Sequence, residues 1–309
     1  MFSKKDEVVD IEPVPRIADL IAQMSRCGFS ARKLGEGLEI VREMSNDKKC
    51  YKFLCISGAL VPCGLRKMLS RMIKEKYVDL IVSTGANITH DLAVAFGGKH
   101  YRVDFQNYGD TEIVKKGFFR IHDVCIHNDD FIRLEKKLFQ ILKDFDEGNY
   151  GSHELLQRIG HKIDDTDSIV RNASINGVPL IVPAFTDSIM GLNIWSLSKI
   201  RNIRIDPFKD LDFLINKQFD LRKKYKRTGV IILGGGVPKN FIFQSALTAD
   251  KPFDYVVQIV TDRPEFGGLS GATINEAKTW KKVNQQARIS TVNCDISIAL
   301  PLIISSIIS

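Results

Sequence analysis

Six short runs of β-branched and aliphatic residues constrain this chain more than any other feature. They are Lys52–Ile56, Val78–Val82, Pro179–Val182, Gly229–Leu233, Tyr255–Val260 and Ile289–Val292. Each ends in small or polar residues and passes into a helical pattern. Near-continuous apolar runs of this length offer solvent no polar face, so they predict parallel strands buried on both sides. Their alternation with helices predicts an α/β fold: a doubly wound, Rossmann-like parallel sheet with helices on both faces and an N-terminal helical extension. With no internal repeat and no Gly/Ser linker, residues 1–309 read as a single domain.

The remaining segments fit that frame. Lys143–His153 is the best candidate for a long surface loop. Ile296–Ile308, interrupted by Pro301 and two serines, reads as a final buried helix too short to span a bilayer. The first nine residues have no apolar core, so no signal peptide is expected and the cytoplasm is the expected location. Six cysteines without a Cys-x-x-Cys pair read as reduced thiols, and six histidines in no metal-binding spacing predict no bound metal. The formal net charge of +7 permits an acidic partner but requires none, and no nucleic acid is called for. The basic run Arg222–Arg227 is the one feature that would suit a non-catalytic RNA-binding module; such runs more often form solvated helix ends.

The residues after the strands matter more than the strands. They are Ser57–Gly64, Ser83–Asn87 followed by His90 and Asp91, Ala184–Ser188, Gly234–Lys239, Thr261–Asp262 and Asp295. In open parallel sheets, ligands bind beyond the carboxyl ends of the strands. Glycines there let backbone amides approach phosphate oxygens, helix starts add positive dipole, and carboxylates suit ribose hydroxyls. Tight turns use the same residues as punctuation, and neither G-x-G-x-x-G nor a P-loop motif occurs. The pattern therefore suggests a nucleotide or phosphate ligand without naming it.

Beyond the fifth strand, a glycine-rich loop leads to Thr273 and Glu276, spaced as a capping box that predicts a helix start. Trp280, Lys281 and Lys282 follow. A lysine of lowered pKa forms a Schiff base readily, although either lysine also reads as a solvated helix residue. On an unbroken helix Glu276 and Trp280 share a face and Lys282 points away, so the helix must stop near Trp280 or Lys282 must face another wall.

In these residues the chain resembles the deoxyhypusine synthases. The matching pieces are Thr228–Lys239, Leu269–Ala272, Glu276–Lys282 and Cys294–Asp295, with Pro183–Asp187 and the Ser57–Gly64 and Thr84–Asp91 loops upstream. The likeness runs from about Gly28 to the carboxyl terminus, and its pattern is that of the archaeal and bacterial branch. It implies an NAD-dependent aminobutyl transferase, with the whole chain as one NAD-binding domain. The donor would be spermidine, the acceptor a lysine of the translation factor 5A precursor, and the assembly a homotetramer. A related enzyme that passes the aminobutyl group to a free amine, forming homospermidine, is the alternative.

The resemblance also assigns roles. Lys282 would be the catalytic nucleophile, with Lys281 standing where the family motif has glycine; this extra cation is expected to depress the pKa of Lys282. Ser57, Gly58, Ala59, Thr84, Gly85, Ala86, Asp187, Gly235, Thr261, Asp295 and Ile296 would bind NAD. Lys239, Asn240, Gly267, Glu276 and Trp280 would bind substrate, the tryptophan against the polyamine stem. Asn240 stands where eukaryotic members have histidine. Leu192 and Leu269 replace acidic contacts, and Thr89-His90 replaces a Glu-Glu pair. His90 is the expected replacement base, because imidazole titrates near neutrality.

Overall fold

The computed structural model describes residues 8–104 and 108–308; residues 1–7, within the segment read for a leader, lie outside them. In chain order come α1 (Ile17–Met24), α2 (Phe29–Asn46), β1 (Cys50–Ile56), α3 (Arg66–Lys74), β2 (Leu80–Ser83), α4 (Gly85–Ala95) and β3 (His100–Arg102). Next are α5 (Asp110–Lys115), β4 (Phe118–Ile121), β5 (Val124–His127), α6 (Asn128–Leu142), β6 (Gly148–Tyr150), α7 (Ser152–Gly160) and α8 (Ile169–Ile175). The chain continues through β7 (Leu180–Ile181), α9 (Ile189–Leu197), β8 (Ile203–Ile205), α10 (Pro207–Lys224) and β9 (Arg227–Leu233). It closes with α11 (Gly236–Thr248), β10 (Phe253–Val260), α12 (Ile274–Thr279), β11 (Val283–Asn293) and α13 (Ile296–Ile308). Read from sequence as one domain, the residues cluster into two compact units. One comprises the chain up to Ser57, Tyr77–Val82 and Asp212 onward; the other comprises Gly58–Lys76 and Ser83–Leu211.

In the first unit the sheet order is β11-β10-β9-β1-β2. The pairs β11–β10, β10–β9 and β9–β1 are parallel. Residues 228–233 of β9 are all buried, as are 255–260 of β10, so helices cover both faces. Side chains alternate along β10. Val257 meets the α2 face at Gly37, whereas Gln258 points the other way and hydrogen-bonds Lys239 of α11. The α/β sheet with helices on both faces is therefore as expected, and all six runs fall on strands. Ile296–Ile308 does form the last helix, with Leu300, Ile303 and Ile304 buried.

The second unit holds two small sheets that the sequence did not announce. β3, β5 and β4 pair antiparallel, and β6 pairs parallel with β8. Their strands are three or four residues long and carry exposed residues such as Tyr101 and Phe119, so no apolar run marks them. The loop expected over Lys143–His153 is a correction: it contains β6 and the start of α7, with Tyr150 buried. Three residues with one buried apolar side chain leave no periodic signal. A buried ionic network organises this unit. Arg66 Nε donates to Asp91 Oδ1 at 2.6 Å, and its Nη2 reaches Asp165 at 2.7 Å. The other oxygen of Asp91 accepts from Ser168 Oγ at 2.7 Å and from the Val170 amide at 2.9 Å.

Candidate functional site

In the first unit, Ser57, Gly235, Thr261 and Asp295 lie at the carboxyl ends of β1, β9, β10 and β11, whereas Lys282 directly precedes β11 at its amino end, its carbonyl accepting the Phe253 amide at 3.1 Å. Ser57 leaves β1 with its amide on Leu233 O at 2.9 Å, and Gly234 leaves β9 with its amide on Ile259 O at 2.8 Å. The Ser57 hydroxyl donates to Gly235 O and accepts the Gly235 amide at 3.2 Å. A side chain at Gly235 is ruled out, because a Cβ there would sit 2.5 Å from Ser270 Cα. The glycine thus lets two loops meet backbone to backbone. α11 begins immediately after and carries Lys239 in its first turn, with the half-buried Asn240 beside it.

Lys239 is only 3% exposed, yet it is an ammonium-bearing residue. Its Nζ donates to Ala272 O at 2.6 Å and to Gln258 Oε1 at 3.3 Å. Burial lowers its pKa to about 8, against the opposing pull of Cys55 and Glu276.

After β10 the chain lays Thr261–Glu265 along an open cleft of about 590 Å³, completed by Ser30 and Asn293. Asp262 accepts a hydrogen bond from the Ser270 hydroxyl, which folds the loop back through Gly267. Thr273 then caps α12, its side chain accepting the Glu276 amide at 3.1 Å, as the sequence predicts. At the end of β11, Asp295 accepts the Ser297 amide at 2.8 Å, and Ile296 opens α13.

Of the two alternatives left open by the sequence, the helix does stop near Trp280. α12 ends at Thr279 with Trp280 as its cap, and Lys281 turns left-handed at φ 57°. The Lys281 amide bonds Lys278 O and the Lys282 amide bonds Ala277 O, both at 3.0 Å. This is a Schellman closure, in which the left-handed position ordinarily holds glycine. The reversal brings Lys282 back towards Trp280, with Nζ 5.1 Å from the ring centre. Lys282 is 9% exposed and Trp280 57% exposed. Burial lowers the Lys282 pKa, and Glu276 opposes that shift; Lys281 is not a cause, contrary to expectation.

In the second unit, the Thr84 hydroxyl donates to Gly58 O at 2.6 Å. Fully buried Asn87 donates to Gly58 O at 3.1 Å and accepts the Leu60 amide at 2.7 Å, so it holds Gly58 and Ala59 beside Thr84 at the start of α4. A Cβ on Gly85 would fall 2.5 Å from that of Ser188, which caps α9 through the Gly191 amide at 3.0 Å. Ala86 sits in the same first turn of α4, half buried, and Asp187 is exposed just before Ser188. Thr89 is buried against α9, its hydroxyl accepting the Met190 amide at 3.2 Å, while Leu192 lies exposed on that helix.

His90 differs from its expected character. It is 7% exposed, with Nδ1 3.0 Å from His100 Nε2. Burial, then His100, pushes its pKa down to about 4, so it does not titrate near neutrality. The sequence reading overlooked Gln258, Asn87 and His100. Gln258 did carry a signal, as the lone polar residue inside an apolar run. Asn87 lies within the Ser83–Asn87 segment, which carries no role for it in the sequence.

The strand-end loops define an α/β protein with a backbone cradle, an open polar cleft and a buried lysine. The cleft at Thr261 and the close approach at Gly235 suit a nucleotide cofactor. The profile of the deoxyhypusine synthase family matches residues 19–307, and the chain belongs to that family of transferases. A "Probable deoxyhypusine synthase 1" from Methanosarcina mazei is 37% identical over 298 residues, covering 96% of this chain and 92% of the relative. Another of that name from Archaeoglobus fulgidus is 38% identical over 288 residues, covering 93% and 92%. A solved Entamoeba histolytica protein, provisionally described as a deoxyhypusine synthase, shares the fold at a TM-score of 0.64 and 20% identity, covering 97% of this chain and 96% of its own.

Proposed function

We propose that this protein is an NAD-dependent deoxyhypusine synthase that moves the aminobutyl group of spermidine to a lysine of the translation factor 5A precursor. The observation that carries the reading is Lys282, buried beside Trp280 in a chain of this family. When bound, NAD supplies the chemistry of removing a hydride from the amine and returning it after transfer. In the first unit Ser57, Gly235, Thr261, Asp295 and Ile296 would hold it; the resemblance assigns the same role to Gly58, Ala59, Thr84, Gly85, Ala86 and Asp187 of the second.

Lys282 supplies the nucleophile. Its unprotonated amine attacks the oxidised carbon of the donor, 1,3-diaminopropane leaves with the proton, and the aminobutyl group stays on Lys282 as an imine. The acceptor lysine then displaces Lys282 by the same exchange. Desolvation favours the free amine that both steps require. Trp280 offers an exposed aromatic face to the polyamine stem, and Glu276 a carboxylate to an ammonium end. Gly267, Lys239 and Asn240 are the further substrate contacts that the resemblance assigns. His90, expected to be the base, is given no proton-transfer role, because burial and His100 hold its pKa down to about 4.

The test is incubation with NAD, aminobutyl-labelled spermidine and the purified factor precursor. Label is expected in the protein acceptor. Label found only in a small amine would overturn the protein-acceptor reading in favour of a homospermidine-type transfer.

A further inference from the structure

Gln258 is 1% exposed, sits on β10 beneath the loops, and uses every polar group it has. Its Nε2 donates to Gly234 O at 2.8 Å and to Ser270 O at 2.9 Å, and its Oε1 accepts from Lys239 Nζ. One amide group thus bridges the glycine turn after β9 and the loop that leads to α12. Lys239 adds a second tie by donating to Ala272 O. The two loops also touch directly, since the missing Cβ of Gly235 leaves room for the Ser270 backbone.

We infer that Gln258 is a positioning residue that latches the Ser270–Ala272 loop onto the Gly234–Gly236 turn, so that a ligand bound at the turn is felt in the loop. An amide is the one common side-chain group that donates to two carbonyls while accepting from an ammonium. A carboxylate would keep the bond to Lys239 and lose both donors. No apolar side chain would satisfy the two carbonyls. The latch itself needs only the geometry above; its link to cofactor binding rests on the proposed NAD site.

Hydrogen exchange of the full-length protein, read by mass spectrometry, separates these two claims. Without ligand, Gln258→Glu is expected to speed exchange across 268–272 at least tenfold while β10 residues 253–257 keep wild-type rates. Rates within twofold of wild type across 268–272 would overturn the latch. With NAD, the wild type is expected to slow exchange at both 234–236 and 268–272, whereas the variant slows it at 234–236 alone. Equal slowing of both segments in the two proteins would overturn the coupling. If NAD slows neither segment in the wild type, the cofactor reading fails, and the ligand-free comparison still decides the latch. Should Gln258→Glu fail to fold, Gln258→Met keeps the volume, removes all three hydrogen bonds and is held to the same criteria.

Discussion

Lys282 Nζ lies 5.1 Å from the centre of the Trp280 ring although only Lys281 separates the two residues. On a continuing helix, positions two apart diverge by about 200° and their side chains do not meet. They meet here because Lys281 adopts φ 57° and ends α12 in a tight reversal. The proposed nucleophile is thus placed by backbone conformation.

That reversal is occupied by a residue poorly suited to it. A left-handed conformation costs an L-residue with a Cβ roughly 1–2 kcal/mol, and part of that gain is lost again because glycine is freer in the unfolded chain. Lys281→Gly is expected to stabilise the protein by about 0.5–1 kcal/mol in urea denaturation. Since burial, and not Lys281, lowers the Lys282 pKa, the pH profile of imine trapping should stay unchanged. A shifted profile would restore Lys281 as an electrostatic partner.

His90 makes stability depend on pH. Its folded pKa of about 4 lies below the unfolded value near 6.5, so between these limits the unfolded chain binds the proton first. Stability is full above about pH 6.5 and falls as pH drops towards 4, by at most about 3 kcal/mol from this group. The pKa of His100, lowered chiefly by burial and opposed by Asp130, contributes with the same sign. Denaturation midpoints at pH 7 and pH 5 check this, and His90→Gln should flatten the difference.

The Arg66–Asp91 pair holds α4, the helix that opens at the Thr84–Ala86 loop. Asp91 is fully buried and accepts four hydrogen bonds, two of them from the Arg66 guanidinium. One of those four reaches its backbone carbonyl, which substitution would keep. Removing one partner of such a buried pair typically costs about 3–5 kcal/mol. Asp91→Ala should therefore destabilise the protein by about 3 kcal/mol in urea denaturation. Asp165→Ala should cost far less, because Asp165 is partly exposed and leaves Arg66 its buried partner.

The parallel sheet was legible because strands such as Gly229–Leu233 and Tyr255–Val260 are apolar throughout and need cover on both faces. The helix start at Thr273 was legible from local hydrogen-bonding chemistry. The small sheets were not: Gly148–Tyr150 and His100–Arg102 are too short and too exposed to leave a pattern. Nor was the environment of His90. Its neighbour His100 is ten residues away in sequence, and burial, a tertiary property, decides its pKa. Gln258 was visible as an anomaly, but its meaning needed the two carbonyls that its amide reaches.

The central claim is that Lys282 carries the aminobutyl group. Incubation with NAD and spermidine, borohydride reduction and peptide mapping test it directly. The expected result is one aminobutyl adduct on Lys282, lost in Lys282→Arg and absent when NAD is omitted. An adduct on Lys239 or Lys281, or none on Lys282 in a protein that still turns over spermidine, would contradict the assignment.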